Sequence, residues 1–177
     1  MKRLTALLVS LLFISTAAFA QLKANDYEWM SAIRTDHPRM FFTAEDVPMM
    51  KNNSLLFDVA TFNGMQRRTD RLIKKGVEFK NELKDNNGAN QVMGYRVADA
   101  AMLWTLTKSP KYLDFAKMLL ERVITHYELR INNNLDISGQ GLTIISTLCA
   151  YDWLYNDLSA EERAELGKRL YEVSYKI

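Results

Sequence analysis

Apolar residues recur along most of this chain at the spacing of an amphipathic helix, and polar breaks separate them into segments of helix length. The clearest stretch runs from Ala150 to Leu170. Tyr151, Leu154 and Tyr155 fall on one helical face, Asn156 to Leu158 closes a turn, and Ser159 with Glu162 forms the S-x-x-E capping box that starts the next helix. Upstream, Gly139 to Trp153 is a mostly apolar helix. Ser109-Pro110 supplies an N-cap and an N1 proline for a helix carrying Leu113, Ala116, Leu120, Val123, Ile124 and Tyr127, which Asn132-Asn133-Asn134 breaks. From Gln91 to Leu106 apolar residues lie on more than one side, as suits a helix packed between neighbours. Leu55 to about Val77 predicts a further helix with one buried face, set by residues 55, 56, 59, 62, 65, 72 and 73.

The remaining segments read as connections. Gln21 to Asp36 is an irregular lead-in, His37-Pro38 is extended because the proline disfavours helix before it, and Lys80 to Asn90 is a polar loop. Thr43 caps a first turn, and Pro48, lacking an N–H, makes that turn restart or distort. No strand-like alternation runs through the chain after residue 20, so the pattern predicts an all-α fold. Corresponding helices begin near residues 91 and 139, and near 110 and 160. Their spacing, close to 50 residues, differs from the roughly 34 of tetratricopeptide repeats and points to helical hairpins of another kind.

Lys2, Arg3, the apolar run Leu7 to Ile14 and the ending Ala18-Phe19-Ala20 predict a signal peptide over residues 1–20, cleaved before Gln21, and hence a secreted or periplasmic protein. The apolar run falls short of the roughly 20 residues of a bilayer span, so no stable membrane span is expected after cleavage. Lys2 and Arg3 lie in that signal, so the 23 basic residues of the whole chain fall to the same number as its 21 acids. Attraction to a polyanion must then come from a local patch, which argues against a nucleic-acid binder. The lone Cys149 lies in an apolar helix and has no disulfide partner; it reads as a small buried hydrophobe.

The wording YDWLYNDLSAEER, Tyr151 to Arg163, resembles a recurrent segment of the heparinase II/III-like polysaccharide lyases. HPRMFFTAEDVP, His37 to Pro48, resembles the opening segment of that family, and DISGQGL, Asp136 to Leu142, is similar to a third stretch that precedes YDW. The resemblance implies that the hairpins are the start of an incomplete (α/α) toroid, with residues 21–177 the N-terminal portion of that domain. It also implies β-elimination on a uronic-acid-containing polysaccharide such as heparan sulfate, alginate or chondroitin, without a cofactor. That reaction needs a group to neutralise the carboxylate, a base for the C5 proton and an acid for the leaving oxygen. In the relatives these are an Asn or similar group, a Tyr and His residues lying downstream of the YDW segment, so no catalytic residue is assigned here. The chain stops at Tyr175-Lys176-Ile177 within a helical pattern, consistent with a truncated N-terminal piece.

Among residues that could carry chemistry, Arg67, Arg71 and Lys74 form one basic stripe, with Arg68 and Lys75 beside it, and are the candidates for binding sulfate or carboxylate groups. The competing reading is a solvated face partly neutralised by Asp70 and Glu78. His37 and His126 lie far apart without nearby metal-ligand spacing, so no metal site is expected and both read as structural. Trp104, Trp153, Tyr151 and Tyr155 read as core aromatics, with sugar stacking the alternative, and Trp153 in particular as a core anchor. Asp136 reads as a helix cap, and Asn52-Asn53-Ser54 fits a glycosylation acceptor. Two other functions stay open: a non-catalytic helical module binding acidic glycans or a partner protein, and a glycoside hydrolase on a similar toroid, which would need paired carboxylates across a cleft.

Overall fold

The computed structural model describes residues 32–79, 90, 92–135 and 137–176. The expected signal peptide, most of the 21–36 lead-in, nearly all of the 80–90 loop and the capping role of Asp136 lie outside these residues. Residues up to Asp36 belong to a separate unit, in which Arg34 and Asp36 form an ion pair. The unit from His37 onward is all-α among its described residues, with six α-helices: α1 Val47–Leu56, α2 Val59–Lys75, α3 Met93–Thr107, α4 Pro110–Asn132, α5 Gly141–Leu154 and α6 Ala160–Tyr175. Short 3₁₀ turns at Ala44–Asp46, Ser138–Gln140 and Tyr155–Asp157 precede α1, precede α5 and follow α5.

Helix boundaries follow local chemistry. The Asp46 carboxylate accepts from the Thr43 N–H at 2.8 Å and from its hydroxyl at 2.9 Å, and the turn restarts as α1 with Pro48 in its first positions, where a missing N–H costs nothing. The expected helix from Leu55 is instead two helices. The amides of Phe57 and Asp58 both turn back to the Asn53 carbonyl, at 2.8 and 3.1 Å, which ends α1 behind the poor helix formers Asn52-Asn53-Ser54. Leu55, Leu56 and Val59 are consequently exposed, and Thr69 is the one described α2 residue that is buried, so the buried face expected there is only half covered. Gly76, at φ +76°, ends α2 in a backbone conformation that suits glycine.

Lys108 caps α3 in the left-handed region, Ser109 and Pro110 start α4 as expected, and α4 ends at the Asn132-Asn133-Asn134 break, with Asn134 at φ +53°. The Ser159 hydroxyl accepts from the Glu162 N–H at 3.1 Å while the Glu162 carboxylate accepts from the Ser159 N–H at 2.6 Å, which completes the capping box of α6.

The last four helices pack on one another, with α3 in contact with both α4 and α5. α3 lies beside α5, α4 lies beside α6, and the two-residue link Lys108-Ser109 folds α4 back along α3. The core between them holds Val97, Ala100 and Ala101 from α3, Leu119, Leu120, Val123, Ile124 and Tyr127 from α4, Ala150 and Leu154 from α5, and Leu166, Leu170 and Val173 from α6. Arg169 ties α6 to α4: its guanidinium meets the Glu128 carboxylate in two bonds of 2.8 Å and also reaches Glu121 and the Thr125 hydroxyl. These carboxylates hold the Arg169 guanidinium further toward its charged form, the Glu128 bonds first.

Burial along α5 does not follow hydrophobicity. Leu142 and Ile145 are exposed, while Thr143 and Thr147 are buried and bond back to the carbonyls of Gln140 and Thr143. The reason is close approach: at Gly94 of α3 an added Cβ would stand 2.4 Å from the Thr143 carbonyl oxygen and 2.7 Å from the Tyr127 hydroxyl. Gly94→Ala therefore sets a helix-propensity gain of about 1 kcal/mol against overpacking of roughly 1–3 kcal/mol on immovable backbone, and the net expectation is a lowered midpoint of urea unfolding. An unchanged or raised midpoint would show that α3 and α5 separate at little cost.

Glu162 gives a pH prediction. The Ser159 amide, and then Lys117 at 2.9 Å, hold its carboxyl below the usual carboxylate range. A depressed folded-state value contributes stability above the unfolded-state pKa of about 4.3 that is lost as pH falls through the lower folded value. The thermal midpoint should decline with acid over this window, and Glu162→Gln should flatten that part of the decline.

Candidate functional site

A buried carboxylate with several partners, that of Asp152, lies near the end of α5. It is 3% exposed. One oxygen accepts from His37 Nδ1 at 2.6 Å, and the other accepts from the backbone amides of Arg39 and Met40, each at 2.8 Å. Arg39 Nε stands 3.8 Å from the first oxygen. Since a carboxylate oxygen can only accept, Nδ1 is the protonated nitrogen of His37.

Neighbouring residues of α5 and the turn behind it extend the clamp. Trp153 Nε1 donates to the Met40 carbonyl at 3.0 Å, Asn156 Nδ2 donates to the His37 carbonyl at 2.7 Å, and the Tyr155 ring stacks on the His37 imidazole with centroids 3.7 Å apart. The His37–Pro38 peptide bond is cis. Thus the segment from His37 and the segment from Tyr151, two of the three stretches picked out in the sequence, are one structural unit. The His37 ring is hydrogen-bonded and packed where the segment meets the helices, held on one edge by Asp152 and on one face by Tyr155.

His126 is fully buried on α4, with Phe79 and Tyr127 rings at centroid distances of 5.7 and 5.9 Å. No group of three His, Cys, Asp or Glu among the described residues is arranged to hold a metal ion. Cys149 is buried, and burial raises its thiol pKa, which keeps it protonated and unreactive.

The aromatics have structural tasks. Tyr151 donates to the Arg163 carbonyl at 2.8 Å, a contact that Gly167 admits because a Cβ there would lie 2.6 Å from the Tyr151 hydroxyl. Trp104 Nε1 donates to Asp157 at 2.7 Å. Trp153 is half-buried. It packs on Phe42, 5.3 Å away, and forms a wall between two surface cavities, so it anchors the N-terminal segment at the rim of the core and not at its centre. The reason is that its indole N–H must reach Met40.

The larger cavity, about 570 Å³, is lined by Phe41, Phe42, Met49, Met50, Met102 and Trp153; the smaller, about 260 Å³, lies against His37 and Lys108. Met50 and Met102 also border a third, of about 380 Å³. Phe41, at φ +69°, stands 83% exposed beside the first.

Arg67, Arg71 and Lys74 lie exposed on α2, on the side away from buried Thr69. The stripe differs from its sequence reading in one respect. Asp70 is drawn across to α4 by Lys111, 2.7 Å away, and Arg68 pairs with Asp99 at 3.3 Å. Asp70 raises the pKa of Lys111, its hydrogen bond being the main cause. Of the two acids expected to neutralise the stripe, Asp70 is engaged elsewhere.

Asp152 is the residue the sequence reading missed. The signal available was its place in the YDW segment, an acid between two aromatics on an otherwise apolar helix. Asp152→Ala should strand two amides and an imidazole and lower unfolding stability by about 3 kcal/mol, the scale of two charge-assisted hydrogen bonds. Hydrogen exchange should then accelerate at the Arg39 and Met40 amides ahead of the α4 core; uniform acceleration, or none, would remove the clamp from its assigned role.

Comparison with known proteins found no matching family model, no matching curated protein and no matching solved structure.

Proposed function

We propose that this chain is the N-terminal segment of an exported polysaccharide lyase acting by β-elimination on uronate-containing polysaccharides, its helices the opening of an α/α toroid. The observation that carries the reading is the clamp: the two longest stretches resembling heparinase II/III-like lyases bind each other through Asp152, His37 and Tyr155 across more than a hundred residues of chain. Stretches that fold as one unit are inherited as one unit, which gives two short matches more weight together than apart.

The toroid reading draws on the packing of α3 against α5 and of α4 against α6. An (α/α) toroid repeats this arrangement, one helix of each hairpin facing inward and one outward. Exposed Leu142 and Ile145 on α5, and Tyr171 and Tyr175 on α6, are the faces that further hairpins would cover.

Within this reading the chain supplies binding and scaffold, while the chemistry comes from downstream residues. The His37 ring lies against Asp152 and Tyr155 and the His126 ring beside Phe79 and Tyr127. The Arg67, Arg71 and Lys74 stripe supplies the affinity for acidic glycan. The deciding experiment is to read the coding sequence beyond Ile177 and express the product: a Tyr and His set with release of ultraviolet-absorbing unsaturated uronide supports the lyase, and a carboxylate pair with hydrolysis replaces it.

For the chain alone, two outcomes are expected. No unsaturated product forms from heparan sulfate, alginate or chondroitin. Retention on immobilised heparin weakens with salt, and Arg67→Ala, Arg71→Ala and Lys74→Ala combined lower affinity about tenfold, taking about 0.5 kcal/mol for each exposed charge. Retention unaffected by the triple change would remove the stripe from the binding surface.

A further inference from the structure

We propose that the two adjoining cavities along α1 form one trough for a small organic cation, an apolar body carrying a single ammonium group that meets Asp58. Such a ligand lies outside the lyase reading: it is no polysaccharide, and its charge is opposite to that of a uronate.

The cavities, of about 570 and 380 Å³, have Met50 of α1 and Met102 of α3 in common. Each volume lies within the roughly 300–1,000 Å³ of small-ligand pockets. Beyond the shared thioethers, Phe41, Phe42 and Trp153 wall the first, and Phe62, Met65 and Leu106 the second. Flexible, polarisable methionines beside aromatic rings adapt to many apolar shapes, so the wall alone does not select a ligand. Charge narrows the choice. Among the described lining residues the first cavity has one ionisable side chain, Asp46, and the second has one, Asp58, while neither has a lysine, arginine or histidine.

Asp58 carries the selection. It is the N-cap residue of α2, yet its carboxylate makes no capping bond and has no hydrogen bond or ion pair with a described residue. Asp70 and Asp99, by contrast, are paired with Lys111 and Arg68. Asn53, Ser54 and Thr61 give the same wall its neutral polar groups. A primary ammonium has three N–H donors for the carboxylate and these oxygens. A carboxylate ligand would be repelled, and a neutral one would leave the charge of Asp58 unused. Along the axis of α1, Met50 and Asp58 stand roughly 10 Å apart at about 1.5 Å per residue, the span of a phenyl ring on a short alkyl chain.

Phe41 marks the apolar end. At φ +69° it occupies the left-handed region, costly for a residue of its size, and it is 83% exposed. Its neighbours hold it there: the Met40 amide donates to Asp152, the Met40 carbonyl accepts from Trp153, and the Thr43 amide donates to Asp46. An exposed ring recovers little of that cost from the core. A bound apolar body would cover the ring, and a cation would also be attracted to its π face.

The test is a titration of the folded chain with phenylbutylamine, phenylbutanol and phenylbutyrate, which share one body and differ in charge, followed by the NMR signals of the Trp153 indole and the Met50 and Met102 methyl groups. Saturable shifts with the amine at millimolar concentration are expected, with the alcohol at least fivefold weaker and the butyrate weaker again. Asp58→Asn keeps a residue favoured at a helix N-cap and removes its charge. It should weaken the amine at least fivefold, to the level of the alcohol, and leave the alcohol unchanged. Asp70→Asn removes the same charge from the same helix and should leave every titration unchanged. Phe41→Gly suits the left-handed backbone, so it should keep or raise the melting temperature while weakening amine and alcohol alike. The proposal is overturned by absence of saturable amine shifts in the wild-type chain, by alcohol or butyrate binding as tightly as amine, by an Asp58→Asn chain of wild-type melting temperature that binds amine undiminished, or by unchanged binding in Phe41→Gly.

Discussion

A single buried carboxylate holds the N-terminal part of this fold to its helical body. Burying a charge is costly unless its lone pairs are met, and Asp152 is met by an imidazole, two backbone amides and the edge of a guanidinium. The constraint works in both directions. His37 to Met40 has no regular secondary structure to satisfy its amides, so without Asp152 the Arg39 and Met40 N–H groups would lie orphaned against the protein; without those amides Asp152 could not remain inside. The turn that follows and the 3₁₀ start at Ala44 lead from this junction into α1, which packs in its own right on α2 and α3.

The hairpins place Asp152 where it can act. α5 packs on α3 through the Gly94 contact with Thr143, and α6 is fixed to α4 by Leu166, Leu170 and Val173 and by the Arg169 fork. The end of α5, with Asp152, Trp153 and then Tyr155 and Asn156 on the 3₁₀ turn, is therefore a rigid edge against which an irregular segment can be registered. Rigidity matters more than burial here: Trp153 is only half covered, yet its indole N–H and ring fix Met40 and Phe42 together. The same edge forms one wall of the small cavity.

Local signals in the sequence translated directly into structure wherever the chemistry was local. The Ser159–Glu162 box, the Ser109-Pro110 start and the Asn132-Asn133-Asn134 stop depend on residues within four positions of one another, and each is found in place. The break between α1 and α2 was not legible, because no Gly or Pro marks it and the bifurcated bonds to Asn53 depend on where α1 lies. Nor was the inversion of α5, with threonines inward and Leu142 outward, since it follows from a glycine on another helix. The hydrogen-bond partner of His37 was not legible either, because it lies 115 residues away and only the fold brings it there.

The charge pattern of α2 shows why a basic stripe cannot be judged from its own helix. On the sequence, Asp70 sits between Arg67 and Arg71 at a spacing that should damp their field. In the fold, Lys111 competes for Asp70 from the start of α4 and holds it at 2.7 Å, while Asp99 of α3 takes Arg68. Each such exposed pair contributes little to stability. Their effect is on direction: Asp70 and Asp99 are turned toward pairs between helices, and Arg67, Arg71 and Lys74 face outward on the opposite side from Thr69. The local field around α2 is therefore set by how α2 packs on its neighbours and not by how many lysines and arginines the sequence contains.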